Sequence, residues 1–219
     1  MLIGHFGLGL GAKKAAPAVS LGTLFIACQF ADLLFGILVL LGVEQAEVQP
    51  GITKMFPLNF VSYPYSHSLV AGCIWSVIFG AAYFAARRSR ASAAVTLALL
   101  VFSHWVLDFI SHRPDLPLTL HGNTRVGLDL WASIPGTLAV EGTIFAAGIA
   151  LYTRTTVPRD RIGSIGLWSL MVVLLVLYGA SSFGPPPPNA AAAAWLAEAM
   201  WLLVAWAYWV DGHRLPHRN

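Results

Sequence analysis

Six long apolar stretches dominate this chain, at residues 19–43, 66–86, 91–111, 130–152, 165–183 and 190–210. A helix rises 1.5 Å per residue, so about 20 apolar residues cross the ~30 Å hydrocarbon layer of a bilayer. Inside hydrocarbon an open chain segment can satisfy its own backbone groups only as a helix. Charged residues make up 11% of the 219 positions and mean hydropathy is +0.70, against about 25% charge in a soluble domain. Too little charge is present to cover a water-facing surface. The expected fold is therefore all-α: a polytopic membrane bundle of six spans, forming one integral membrane domain over residues 1–219. The run Gly184-Pro185-Pro186-Pro187-Pro188 cannot be helical and serves as a stiff turn between the last two spans.

The cations fall unevenly between the two sides these spans define. Lys13, Lys14, Arg87, Arg88, Arg90, Arg154, Arg159, Arg161, Arg214 and Arg218 lie on one side, and Lys54, Arg113 and Arg125 on the other. The positive-inside rule then places both termini in the cytoplasm, and Trp131, Trp195, Trp206, Tyr208 and Trp209 fit interfacial belts. No basic stripe of the kind that binds nucleic acid is present. Membrane lipids are the expected surroundings, and the oligomeric state is left open. Cys28 and Cys73 lie inside apolar segments and read as packing residues. The first twelve residues are apolar but too short to cross. They fit either a half-helix that re-enters the bilayer, with His5 ~12 Å deep, or a stub lying on its surface, and Gly4, Gly7, Gly9 and Gly11 weaken any helix there.

Polar residues inside such spans are costly, about 2.5–3.5 kcal/mol per ionised group at mid-membrane on insertion scales. The third span carries His104, Asp108 and His112 at i, i+4 and i+8, which puts all three on roughly one helical face. His5, Gln29, Asp32, His67 and Glu141 are the other polar residues in or bordering the spans. Counted along straight helices, Asp32 and Glu141 lie ~16 Å from the outer end, His104 ~10 Å and Asp108 ~5 Å. The set converges on the outer half of the membrane from several helices. Imidazole and carboxylate without thiolate suit zinc, manganese or iron. Such an ion with an open position would activate water, with Glu141 exchanging the proton. Each residue also has a plainer reading. His104 with Asp108 could join helices, Asp32 could pair with Gln29 or a neighbouring helix, Glu141 could be a lone protonated carboxyl, His67 between Ser66 and Ser68 could cap a helix start, and His112 could belong to the loop at Arg113-Pro114.

Gly4-His5, Asp32, Ser66-His67-Ser68-Leu69, Ser103-His104 with Asp108 four residues on, and a helical Glu141 together resemble the bacterial inner-membrane metal-dependent hydrolases of the YdjM-like family. The order of ligand types is also similar to the helical zinc-dependent phospholipases C and related single-strand nucleases. The likeness covers residues 4–141, and the two spans over 165–210 carry no motif. It implies a membrane hydrolase in which His5, Asp32, His67, His104 and Asp108 hold a divalent metal, zinc first. Glu141 matches the family's later helical Glu, and the expected substrate is a phosphoester or a lipid-like small molecule. Glu141 and Asp108 are the catalytic candidates, with His112 and Gln29 at the margin. Two departures stand out: the family's Asp-rich run is reduced to Asp32, and Tyr63-Pro64-Tyr65 stands where a basic His-Arg element is frequent. Two other readings compete, a proton- or ion-coupled permease and a non-catalytic protein stabilised by its metal.

Overall fold

The computed structural model describes residues 1–87 and 91–217. Arg88, Arg90 and Arg218, counted above, lie outside the described residues. Helix α1 (Ile3–Ala12) is followed by α2 (Leu21–Cys28) and α3 (Phe30–Leu40), then a hairpin of β1 (Gln45–Val48) and β2 (Leu58–Ser62). The short α4 (Pro64–His67) leads into α5 (Leu69–Ala86) and α6 (Ala91–Ser111). A two-residue pairing of β3 (Leu116–Pro117) with β4 (Arg125–Val126) and a 3-10 turn (Leu130–Ala132) precede α7 (Ile134–Thr155). Then come β5 (Thr156–Pro158), α8 (Arg161–Phe183), α9 (Ala190–Glu198), α10 (Met200–Gly212) and β6 (Arg214–Pro216), with β6 pairing back onto β5.

Among the described residues five helical stretches are long and apolar enough to cross a membrane, with Ala190–Gly212 taken as one. The count is six if the bent pair α2–α3 is one span. That pair departs from expectation, because residues 19–43 do not form a straight helix but turn by 60° at Gln29. The bend frees the Cys28 carbonyl from the helical ladder, and it accepts instead from the His104 ring. Helix starts are set by ordinary caps. Ser20, Ser68, Ser133, Asp160 and Asn189 each accept from a backbone N–H three residues on, which fills an orphan donor of the first turn.

Helix α1 does not lie on the surface of the bundle but is buried within it: Ile3, Phe6 and Leu10 are shielded along with His5. It lies against α7, α2 and α6. The glycines that weaken it as an isolated helix make this placement possible. A Cβ on Gly7 would sit 2.7 Å from the Ile144 carbonyl oxygen, and one on Gly148 would strike the Gly7 carbonyl. The two backbones thus touch directly, as small residues allow between membrane helices.

The cations do separate to the two ends of the bundle. At one end Arg125 donates to the Phe60 and Val61 carbonyls, and Arg113 pairs with Asp115 and reaches Asn59, stapling the β1–β2 hairpin over the helix ends. At the other end Lys13 is buried rather than solvated. Its ammonium lies 2.7 Å from Asp211 and also donates to the Val19 carbonyl. Asp211 further accepts from the Tyr152 hydroxyl and the Leu21 N–H. This latch joins α1, α2, α7 and α10. Trp131 departs from its expected interfacial place: it is buried, its ring centroid 4.5 Å from that of His112.

Candidate metal centre

Helix α6 contributes two groups one turn apart, His104 and Asp108, with side chains 1% and 2% exposed. The Nε2 of His104 lies 3.1 Å from Oδ2 of Asp108. Helix α1 delivers His5, whose Nε2 is 3.1 Å from Oδ1 of Asp108. The rings of His5 and His104 stack in parallel with centroids 3.7 Å apart. From the last residue of α4, His67 brings its Nε2 to 3.6 Å from Asp108 Oδ2 and 3.4 Å from Asp32 Oδ1. Asp32, in the first turn of α3 just past the bend, also lies 3.6 Å from His104 Nε2. All five expected ligands therefore meet, in two triads that share His104: His5–His104–Asp108 and Asp32–His67–His104.

The imidazoles are oriented from behind. His104 Nδ1 lies 2.8 Å from the Cys28 carbonyl, which can only accept, so this nitrogen carries a proton and Nε2 is the atom turned to the cluster. His67 Nδ1 lies 2.7 Å from the Ser66 hydroxyl, and that hydroxyl donates to Glu44. With the hydroxyl proton committed to Glu44, Ser66 accepts from His67 Nδ1, and Nε2 again faces the cluster. Glu44 also accepts the Tyr65 and Ser66 N–H groups, which locks α4 in place. Metal-binding histidines have this outer partner as a rule.

His112 is more fully enclosed than its place beside Arg113-Pro114 leads one to expect. It is buried, Nδ1 lies 3.0 Å from Asp115, and Nε2 stands 4.0 Å from Asp108 Oδ2. The Asp115 carboxylate also accepts from Tyr63 and Arg113. Burial works to raise the Asp115 pKa, but the His112 bond and the Arg113 guanidinium overcome it and hold the carboxyl below its ordinary value. The loop after β4 returns to cap α6, with the Leu128 and Asp129 N–H groups donating to the Phe109 and His112 carbonyls.

Glu141 stands apart from the cluster of ligand atoms. Its Oε2 accepts the Leu2 N–H at 2.9 Å and the Gly4 N–H at 3.2 Å. It therefore caps the start of α1 and so sets where His5 falls. The Met1 nitrogen donates to Asp108 Oδ1 at 2.7 Å. Gln29 sits in the bend itself, fully buried, with neither amide atom hydrogen-bonded among the described residues. The residues that sequence reasoning missed are Glu44, Ser66 as an orienting group, Tyr63 and Asp115. Glu44 lies just beyond the first apolar stretch, 22 residues from Ser66, and no spacing rule links the two.

The donor set fits a metal ion. Ligands about 2.0–2.2 Å from a tetrahedral zinc stand roughly 3.3–3.6 Å from one another. The nitrogen–oxygen separations here run from 3.1 to 3.6 Å. His104 Nε2 is buried without a hydrogen-bond partner despite its two carboxylate neighbours, the orphaned atom a metal would satisfy. A divalent ion would take these imidazoles in their neutral form and the carboxylates ionised. No family model, curated protein or solved structure matches this chain.

Proposed function

We propose that this protein is an integral-membrane metal-dependent hydrolase acting on a phosphoester, as its resemblance to the YdjM-like inner-membrane family implies. The observation that carries the reading is the convergence of His5, His67 and His104 by their Nε2 atoms on Asp32 and Asp108, with Nδ1 of His67 and His104 anchored outward. His104 is the common ligand, flanked by His67, Asp32 and Asp108, while His5 holds the second oxygen of Asp108. A zinc ion here would polarise the phosphoryl oxygens and lower the pKa of a bound water to about 7. Glu141 acts in this scheme chiefly by docking α1, and proton exchange falls to the carboxylates of the cluster. The bacterial inner membrane, with the termini cytoplasmic, is the location that the charge bias supports.

The permease reading has less support. Among the described residues the buried polar groups gather at two ends, one at His5 and one at Lys13, separated by ~12 Å along α1. Phe6, Leu10, Leu24 and Phe25, none of them exposed, fill the core of α1 and α2 between these ends. A relay would need polar groups there.

Metal analysis tests the proposal. Wild-type protein purified gently without chelators should carry near-stoichiometric zinc, manganese or iron, and His104→Ala and Asp108→Ala should lose most of it. Sub-stoichiometric metal in wild type would sink the metal-dependent reading. Bound metal with no turnover of phosphodiester or phospholipid would leave a metal-stabilised scaffold.

A further inference from the structure

The cluster is closed on most sides. Helix α1 covers it from within the bundle, and Tyr63, Leu116, Trp131 and His112, all buried, stand at its hairpin-covered end. Asp32 differs: it sits in a recess, and 28% of its side chain is accessible where the other ligands show 1–2%. Beside it a crevice runs between α3, α5 and α6. His67 and His104 line it, with Phe30, Ala31, Gly72, Trp75, Val101 and Trp105 as apolar walls. Trp75 and Trp105 stand six residues from the near ends of α5 and α6, so the crevice lies ~9 Å down the flank of the bundle rather than at its end. Val106, next to Trp105 on α6, is exposed, and the outer face of α5, turned away from Gly72 and Trp75, exposes Val70, Ile74, Val77 and Ile78, apolar surfaces suited to lipid chains.

We propose that this crevice is a side door by which one acyl chain of a membrane phospholipid enters, laying its phosphoester against the His/Asp cluster. The proposal names the substrate class of the hydrolase site and rests on that reading. Chemistry argues for this occupant: a chain entering through aromatic walls from an apolar flank must itself be apolar, while the group that reaches His67 and His104 must be polar. The door is nearly shut, its free volume of about 10 Å³ being room for one water. Its leaves are aromatic rings on different helices, Phe30 of α3 tilted against Trp75 of α5 at 5.4 Å between centroids. Turning Trp75 aside breaks one bond, from its Nε1 to the Tyr65 carbonyl. Trp105, on the opposite wall, keeps a buried Nε1 with no partner among the described residues, a donor left for a substrate oxygen.

The test uses the full chain in lipid nanodiscs doped with a phospholipid bearing a diazirine midway along one acyl chain. Irradiation should label Val101, which is buried inside the crevice, as well as the outer face of α5. Gly72→Leu, which fills the crevice, should cut Val101 labelling at least fivefold. Trp75→Ala, which opens it, should raise that labelling severalfold, and Val77→Leu on the outer face should leave it unchanged. Labelling confined to exposed residues, or indifferent to both crevice variants, overturns the proposal. In a second arm, turnover of long-chain phospholipid is divided by turnover of a water-soluble phosphodiester. Gly72→Leu should lower that ratio at least fivefold, and an unchanged ratio overturns the door. If wild type cleaves neither substrate the hydrolase reading fails, and the labelling arm still decides whether the chain enters.

Discussion

His67 could hold a metal through Nε2 only while its other nitrogen keeps the proton, so that role depends on Ser66 and, behind it, Glu44. Neither residue belongs to either ligand triad. Ser66→Ala and Glu44→Gln should therefore weaken metal binding by about 10–100-fold, the usual cost of losing such a partner. Chelator competition would read the change, and unaltered affinity in both variants would show that α4 alone holds the ring. The rule that set His104 and Asp108 on one face was legible in the sequence, because i, i+4 is a helical contact. The same rule extended to His112, whose burial was not legible. Tyr63, Asp115 and Trp131 enclose it, and these come from loops and a turn that carry no periodic signal.

Helix α1 shows how packing can overrule propensity. Four glycines in ten residues argue against a helix in isolation, each costing about 1 kcal/mol relative to alanine. In the bundle Gly7 instead allows α1 to press against α7, which places His5 beside Asp108. Gly7→Leu should destabilise the protein by about 1–3 kcal/mol, as overpacked cores do, and lower metal content with it. Denaturant titration in detergent alongside metal analysis would check both. Unchanged stability would mean that α1 and α7 separate readily. At the start of α8, Asp160 accepts the Gly163 N–H and lies 2.7 Å from His213 Nδ1. These bonds hold its pKa below the ordinary 3.8. A depressed carboxyl gives its full stabilisation above the unfolded pKa and loses it as pH falls through the folded one. Below about pH 4 the cap should loosen, and the protection of the Gly163 amide from exchange, taken relative to its intrinsic rate at each pH, should fall. Asp160→Asn, which keeps a capping oxygen, should make that protection insensitive to acid.

The whole molecule has polar groups buried at both ends and an apolar middle. The latch of Lys13, Asp211 and Tyr152 gives the last span a purpose that no motif announced: α10 helps hold the lower end of α1, whose upper end carries His5. Removing one member of a buried ion pair strands the other, at a cost of about 3–5 kcal/mol. Asp211→Ala should therefore lower thermal stability sharply, whereas the paired change Lys13→Met with Asp211→Leu should recover much of it. Thermal unfolding followed by light scattering would separate these outcomes. Equal loss in both would assign the effect to Tyr152 and the Leu21 N–H rather than to stranded charge.

By itself the sequence determined the all-α membrane class, the near-complete set of crossing segments and the separation of cations between the two ends. These follow from local quantities, hydropathy over about 20 residues and charge between runs. It also picked out by type the His and Asp residues that meet in the cluster, because polar groups in apolar spans are costly wherever they appear. The tertiary structure alone decided that α1 goes inside, that the first span bends at Gln29 and frees a carbonyl for His104, and that Glu141 serves the start of α1. Each of these depends on contacts between segments far apart in the chain, 103 positions in the case of His5 and Asp108. Such contacts are set by shape and hydrogen-bond satisfaction between elements, which no periodicity within one element encodes.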